Sequence, residues 1–161
     1  MRRACGVILV VTAISLLANL AQFQTERYRQ NQRNVLRTDA AATVVGRLKA
    51  AIEALQRFDG SWPQGVPELL LAVQALQTAD DSLMVLRTET KANLVNSYLR
   101  LSDSVGVAHA DITEAIVRGN LTRLPTVRLR LQNIYQQFPT NMGEGYISPF
   151  EAALARLQWP G

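Results

Sequence analysis

The fold is decided by residues 69–116, which read LLLAVQALQTADDSLMVLRTETKANLVNSYLRLSDSVGVAHADITEAI. Apolar residues, with two hydroxyl-bearing exceptions, recur along this stretch at steps of three or four, and no charged residue interrupts the series. The series is Leu69, Ala72, Leu76, Ala79, Leu83, Leu86, Thr90, Leu94, Tyr98, Leu101, Val105, Ala108, Ile112 and Ile116. Such regularity is typical of helices packed in a bundle or coiled coil, and it predicts an all-α fold.

The N-terminal part of the chain has the composition of a membrane span. Residues 4–21 read ACGVILVVTAISLLANLA, and no charge falls between Ala4 and Gln24. A helix over this span rises about 30 Å, the thickness of the hydrocarbon core of a bilayer. The run is longer than the core of a typical signal peptide and lacks a good cleavage site. We therefore predict a short basic tail at 1–3 and a transmembrane signal anchor at 4–23, with a cleaved signal peptide as the alternative.

The anchor is predicted to continue as one helix into an antiparallel helical bundle at 24–161. No proline precedes Trp62, so the first helix of the bundle is expected over 24–58. Its apolar face is Val44, Leu48, Ile52 and Leu55. Several turn formers at 59–66 then end this helix and lead into the long apolar series.

The long helix is expected to break or kink near residues 102–106, or else the first helix is expected to bend. A second helix that starts at residue 67 and runs antiparallel to 24–58 reaches the membrane surface again near residue 102. The polar residues that follow are too costly to place in lipid. Residues 102–106 also combine polar side chains with a helix-weakening glycine. We therefore predict helices over 67–103 and 107–118, with Gly119 as the residue that closes the second one.

Two shorter helices are predicted after Gly119. The first covers 125–138 and begins at a proline, which needs no hydrogen-bond donor in the first turn. The second covers 149–158. Ser148 and Glu151 have the spacing of a capping box, in which each side chain accepts a hydrogen bond from the backbone of the other residue.

The charges that flank the anchor give conflicting indications of its orientation. Arg2 and Arg3 favour a cytoplasmic N-terminus, whereas four arginines after the span, against one acid, favour the reverse. A short basic N-terminus before a signal anchor usually stays in the cytoplasm. We therefore expect the bundle on the extracytoplasmic side of the cell membrane. Arginines predicted to contact lipid headgroups are Arg27, Arg29, Arg33, Arg37, Arg118 and Arg123.

Composition argues against several classes of function. The formal net charge is +4, of which the basic tail supplies half, and aromatic residues make up 6% of the chain. A nearly neutral domain with few stacking side chains predicts no nucleic-acid partner. His109 is the only histidine and Cys5 the only cysteine. We expect His109 on the surface and predict no catalytic, metal-binding or cofactor-binding residue.

Three residues of the domain are candidates for recognition. Trp62, in the loop after the first helix, is a candidate partner contact if it is exposed, and packing across the end of the bundle is the alternative. Thr90 and Tyr98 are the polar members of the long series. They are candidates to line a ligand cavity, although hydroxyls in water at the edge of the series are the favoured interpretation.

These features predict a single-pass membrane protein that acts through protein interaction, as a scaffold or accessory subunit, and not as an enzyme. Its expected contacts are membrane lipid through 4–23 and an unknown protein or a second copy of itself. The alternative is a ligand-sensing bundle that signals through a separate partner. The layout resembles the extracytoplasmic helical bundles of bacterial chemoreceptors, in architecture only. Those receptors return through the membrane to a signalling domain, and no second apolar run of that kind follows here.

Overall fold

The computed structural model describes the backbone of residues 2–88, 92–139 and 147–159, and the side chains in these ranges from residue 15 onward except at 17 and 92. Every regular element in these ranges is helical, which confirms the all-α prediction for the described residues. The elements are α1 (Arg2–Arg57), α2 (Val66–Thr88), a 3-10 turn (Ala92–Leu94), α3 (Val95–Arg118), α4 (Leu124–Tyr135) and α5 (Ser148–Arg156).

The chain divides into two units, residues 1–36 and 37–161. The first unit is the N-terminal part of α1, and every side chain described in it is exposed. Its exposed large apolar residues are Leu16, Leu20, Phe23, Tyr28, Val35 and Leu36. The side chains of 1–14 and 17 lie outside the described residues, so the membrane anchor at 4–23 stays a prediction.

In the second unit, α1 contributes an unusually wide buried face to the core. The buried residues are Ala41, Val44, Val45, Leu48, Ala51, Ile52, Ala54 and Leu55. At 3.6 residues per turn they occupy about half of the helix circumference, compared with the narrower stripe of a helix that packs on one neighbour. This part of α1 is therefore a central helix of the bundle.

The apolar series of 69–116 folds back on itself. The connection between α2 and α3 is short, and the hydroxyl of Ser102 donates to the carboxylate of Asp80 at 2.5 Å, which pairs the two helices in antiparallel order. Six members of the series, from Leu69 to Leu86, are buried on α2, and five, from Tyr98 to Ile112, are buried on α3. The predicted single helix over 67–103 is wrong, because α2 ends at Thr88. The apolar series therefore forms the facing sides of α2 and α3, and not one side of a single long helix.

The predicted break at 102–106 is also wrong. α3 runs without interruption from Val95 to Arg118, so 107–118 is not a separate helix. Gly106 lies on the exposed face of α3, with no atom within 4 Å of the position that a Cβ would take. The two helices α2 and α3 instead pair in antiparallel order and cover each other's apolar faces.

The ends of α3 and α4 are closed by local hydrogen bonds. Gly119 has a φ of +67° and donates its N–H to the carbonyl of Ala115 at 2.9 Å, which confirms it as the residue that ends α3. α4 ends at Tyr135, three residues before the predicted end of 125–138. There the N–H of Phe138 bonds the carbonyl of Tyr135 at 3.0 Å, which tightens the chain into a turn and directs Phe138 into the core.

The predicted capping box at the start of α5 does not form. Ile147 occupies the N-cap position, and its carbonyl accepts the N–H of Glu151 at 3.0 Å. The carboxylate of Glu151 instead forms a hydrogen-bonded ion pair with Arg37, and the side chains are 13% and 15% exposed. α5 ends at Arg156, close to the predicted end of 149–158.

A cluster of three aromatic rings lies where α5 meets α3. Phe138 stacks on Phe150 with ring centroids 5.0 Å apart, and Tyr98 lies 6.1 Å from Phe150. Tyr98 is 1% exposed. The expectation that its hydroxyl lies in water is wrong, because α5 covers this part of α3.

Within the described residues searched, one helix is long and apolar enough to cross a membrane, and it is α2. By this criterion, the expectation that no second apolar run follows the anchor is wrong. A core helix of a soluble bundle satisfies the same criterion. Leu69, Leu76, Leu83 and Leu86 of α2 are buried in the core, and Asp80 with Asp81 places two adjacent carboxylates within the apolar stretch. Both features are compatible with a core helix, and the large apolar residues Leu70, Leu71, Met84 and Val85 of the same helix are exposed.

Candidate partner-binding site

The loop of residues 58–65 is held in one conformation by its own hydrogen bonds. The N–H and the hydroxyl of Ser61 both donate to Oδ1 of Asp59, at 2.8 and 2.5 Å. The N–H of Gly65 donates to the carbonyl of Ser61 at 2.9 Å. A Cβ at Gly65 would lie 2.5 Å from the ring of Phe58, so only glycine fits there without displacing the ring. The backbone that presents Trp62 is therefore fixed.

The same hydrogen bonds set the acidity of Asp59. The hydroxyl of Ser61 and then its N–H favour the carboxylate over the neutral acid, and together they hold the pKa of Asp59 below its ordinary value of 3.8. Asp59 is thus a fixed negative charge beside Trp62 at neutral pH.

Trp62 is partly packed and partly free. Its indole N–H donates to the carbonyl of Ile116 at 3.3 Å. Its ring lies against Gly119, where a Cβ would come within 3.4 Å of the indole. The residue remains 46% exposed, and Val117, next to Ile116, is 72% exposed. Trp62 therefore packs across the end of the bundle and still presents nearly half of its surface to solvent; its contact with a partner stays a prediction.

A groove of about 250 Å³ lies at the same end of the bundle. It is built by the loop that contains Trp62 and by the start of α4. The lining residues are Leu55, Phe58, Asp59, Gly60, Leu121, Leu124, Pro125 and Arg128. Most of them are apolar, and Asp59 and Arg128 add one exposed charge of each sign. An apolar groove with a few charges is a common form of binding surface.

Arg118 and Arg123 lie at this end and are paired with acids. Arg123 contacts Asp111 at 2.9 Å and Glu114 at 3.7 Å, and Arg118 contacts Glu114 at 3.3 Å. The hydrogen bond and the negative charge of Asp111 raise the pKa of Arg123. The predicted break at 102–106 would have brought these arginines close to Arg27–Arg37, but α3 has no break. α3 returns beside the end of α1, about 30 Å along that helix from Arg37.

The other predicted headgroup contacts differ from one another. Arg37 is in the half-buried pair with Glu151, so its guanidinium is directed into the bundle. Arg27, Arg29 and Arg33 are exposed on the first unit, and the Arg27 guanidinium lies 5.1 Å from the centre of the Phe23 ring. Their contact with headgroups stays a prediction.

The predicted ligand cavity is not supported by the position of Tyr98. Thr90 lies outside the described residues, and Tyr98 belongs to the aromatic cluster of the core. His109 is half-buried on α3 and lines a shallow groove with Thr113, Glu114 and neighbouring residues.

Among the residues searched, no three His, Cys, Asp or Glu side chains lie close enough together to hold a metal ion. Comparisons of the chain with protein-family models, with curated proteins and with solved structures found no match.

Sequence reasoning found Trp62 but missed the residues that fix it. Gly65 and Phe58 form a close contact that only the folded loop shows. Gly119 was identified from its position after Arg118, but its contact with the indole depends on where α3 ends. Leu121 and Leu124, which line the groove, are apolar residues on either side of Thr122 and Arg123, and this is the signal that the sequence offers for them.

Proposed function

We propose that this chain is a single-pass membrane protein, anchored by residues 4–23, whose bundle at 37–161 binds a partner protein through the Trp62 end. Its role is that of a scaffold or accessory subunit without catalysis. The partner is another protein or a second copy of the chain. The anchor places the bundle at the cell membrane, on the extracytoplasmic side.

The observation that carries the binding role is the half-exposed and fixed Trp62. Exposed tryptophans that are held rigid are favoured as binding anchors, because little conformational entropy is lost when a partner covers them. With 46% of the residue exposed, and a tryptophan surface of about 250 Å², roughly 115 Å² is available for burial. At about 25 cal/mol per Å², covering it contributes about 3 kcal/mol. That is enough for Trp62 to act as an energetic centre of an interface.

The neighbouring surface supports the same function. Val117 is exposed next to Ile116, whose carbonyl accepts the hydrogen bond of Trp62. The groove lined by Phe58 and Leu121 is bordered by the loop that contains Trp62 and the loop that precedes α4. The charges of Asp59 and Arg128 border apolar area, which is the composition of an interface with a polar rim. The ligand-sensing alternative has less support, because Tyr98 is packed in the core.

Photo-crosslinking in native membranes tests the proposal. A photoreactive amino acid replaces Gln64, an exposed residue two positions from Trp62, in the full-length chain. The matched control places the same group at Met84, which is exposed on α2 away from the Trp62 loop. Each position is compared with and without the substitution Trp62→Ala.

We expect an adduct of defined mass from position 64, its yield strongly reduced by Trp62→Ala, and no such adduct from position 84. An adduct at twice the mass of the chain identifies self-association, and any other mass identifies a different protein. The proposal fails if position 64 yields no adduct, or if the adduct is insensitive to Trp62→Ala.

A further inference from the structure

We infer that Arg27, Arg29 and Arg33 form a collar that binds the anionic headgroups of the bilayer in which residues 4–23 are anchored. The inference rests on the anchor of the proposed function and adds a lipid preference to it. Of the six arginines that the sequence predicts to contact headgroups, the collar retains three.

The segment that follows the anchor is exposed and positively charged. Residues 24–36 contain these three arginines and one acid, Glu26. Every side chain of the segment is exposed. A positive, solvent-accessible segment next to an apolar span is complementary in charge to anionic headgroups.

The arginines surround the helix. Successive residues of an α-helix are about 100° apart, so Arg29 and Arg33 lie on one side and Arg27 lies roughly opposite them. A helix that lies flat on a membrane has its basic residues beside one apolar face. A helix that leaves a bilayer meets headgroups on all sides, and a collar fits that geometry.

The positions along the helix match the depth of the headgroup region. Measured from Phe23, at the end of the predicted span, Arg27 is about 6 Å further along, Arg29 about 9 Å and Arg33 about 15 Å. The headgroup layer is roughly 5–7 Å thick on each side, and electrostatic attraction extends about 8 Å beyond it at physiological salt. All three arginines fall within reach.

An aromatic residue at the boundary of the span supports the same placement. Phe23 is 56% exposed, and the Arg27 guanidinium lies over its ring at 5.1 Å. Tyr28 is exposed, and its hydroxyl accepts a hydrogen bond from Gln32 at 2.7 Å. Amphipathic aromatic rings are enriched at membrane interfaces, where one end is apolar and the other wet.

The remaining arginines of the predicted set lie further along the chain, in the second unit. Arg37 pairs with Glu151. Arg118 and Arg123 pair with Asp111 and Glu114 at the Trp62 end. The collar therefore consists of the arginines that lie in the first unit.

Electron paramagnetic resonance of spin-labelled lipids tests the collar in the full-length chain. The protein is reconstituted in phosphatidylcholine bilayers with trace spin-labelled phosphatidylglycerol or phosphatidylcholine, and the fraction of each probe immobilised at the protein is measured. The variant carries Arg27→Gln, Arg29→Gln and Arg33→Gln. The control, of equal charge change, carries Arg57→Gln, Arg87→Gln and Arg100→Gln, all exposed in the second unit.

We expect the wild type and the control to favour phosphatidylglycerol by at least about threefold, and the collar variant to show a ratio near one. Raising the salt concentration lowers the wild-type ratio towards the same value. Equal ratios in wild type and collar variant overturn the inference while leaving the anchor intact. If neither probe is immobilised, the chain has no span in the bilayer, and both the anchor and the collar are refuted.

Discussion

Replacement of Gly106 by alanine stabilises the protein if α3 is one continuous helix. Gly106 is in the middle of α3 on its exposed face, and a Cβ there meets no other atom within 4 Å. The substitution therefore removes the conformational freedom of glycine in the unfolded chain without any clash in the folded one.

The expected gain is about 0.8–1 kcal/mol, the difference in helix propensity between alanine and glycine. The second unit contains roughly 125 residues, and unfolding entropy is about 2.1 cal/mol/K per residue. A gain of about 1 kcal/mol then raises the midpoint temperature by about 4 °C.

Gly119→Ala is the matched control, and it is expected to lower the stability of the protein. Gly119 has a φ of +67° and lies against the ring of Trp62, 3.4 Å from the position of a Cβ. An alanine in the left-handed conformation costs about 1–2 kcal/mol, so the midpoint is expected to fall by about 4–8 °C.

Thermal unfolding of the full-length chain in detergent, followed by circular dichroism, measures both shifts. Two-state behaviour is checked by comparing a second probe, the fluorescence of the tryptophans. A neutral or destabilising effect of Gly106→Ala would refute the account of α3, because it would place Gly106 in a turn, as the polar stretch at 102–106 predicted from the sequence alone.

Two further perturbations concern charged groups. Arg37→Ala leaves the carboxylate of Glu151 half-buried without its partner and is expected to lower the free energy of unfolding by about 2–4 kcal/mol, measured by chemical unfolding. Lys49→Ala, in an exposed pair, is expected to lower it by less than about 0.5 kcal/mol. Similar losses for the two variants would contradict the burial of the Arg37 pair. Because the pKa of Asp59 is lowered on folding, its contribution to stability is present above about pH 3.8 and is lost as the pH falls through its lower folded pKa. NMR titration is expected to give a pKa below 3.8 that rises towards this value in Ser61→Ala, and a pKa unaffected by that change would show that the hydrogen bond from the Ser61 hydroxyl is not its cause.

The sequence identified the buried face of α2 and α3 but not where the chain turns. Helical periodicity is a local property, so it shows which side of a helix is apolar. It does not show whether the partner of that side is another helix or the next part of the same series. The pairing of α2 with α3 is shown by contacts such as that of Ser102 with Asp80, and such contacts are a property of the folded pair.

Contacts between distant residues account for most of the remaining differences. Glu151 has the spacing of a capping box with Ser148, yet its carboxylate pairs with Arg37 across the bundle. The sequence pattern predicts a local partner for the Glu151 carboxylate because such a pattern shows only residues that are near in the chain. Tyr98 was placed at the edge of the series for the same reason, since nothing in its own segment indicates that Phe150 covers it.

The candidate site was predictable in part. Trp62 stood out as an aromatic residue among turn formers, and Gly119 as a helix terminator. Their contact was not predictable, because it requires α3 to end beside the loop that follows α1. Only the correct position of the turn between α2 and α3 brings those two residues together.

Cysteine labelling in intact cells with a membrane-impermeant maleimide measures how many times the chain crosses the membrane. Single cysteines are introduced by Gln64→Cys and, separately, by Arg100→Cys, with Cys5→Ser in both chains; the two positions flank α2 and are exposed. We predict that both chains pellet with membranes and that both positions are labelled from outside, as expected if the chain crosses the bilayer once, through residues 4–23. Labelling of one position without the other would make α2 a membrane span and would contradict the account, as would recovery of the chain in the soluble fraction.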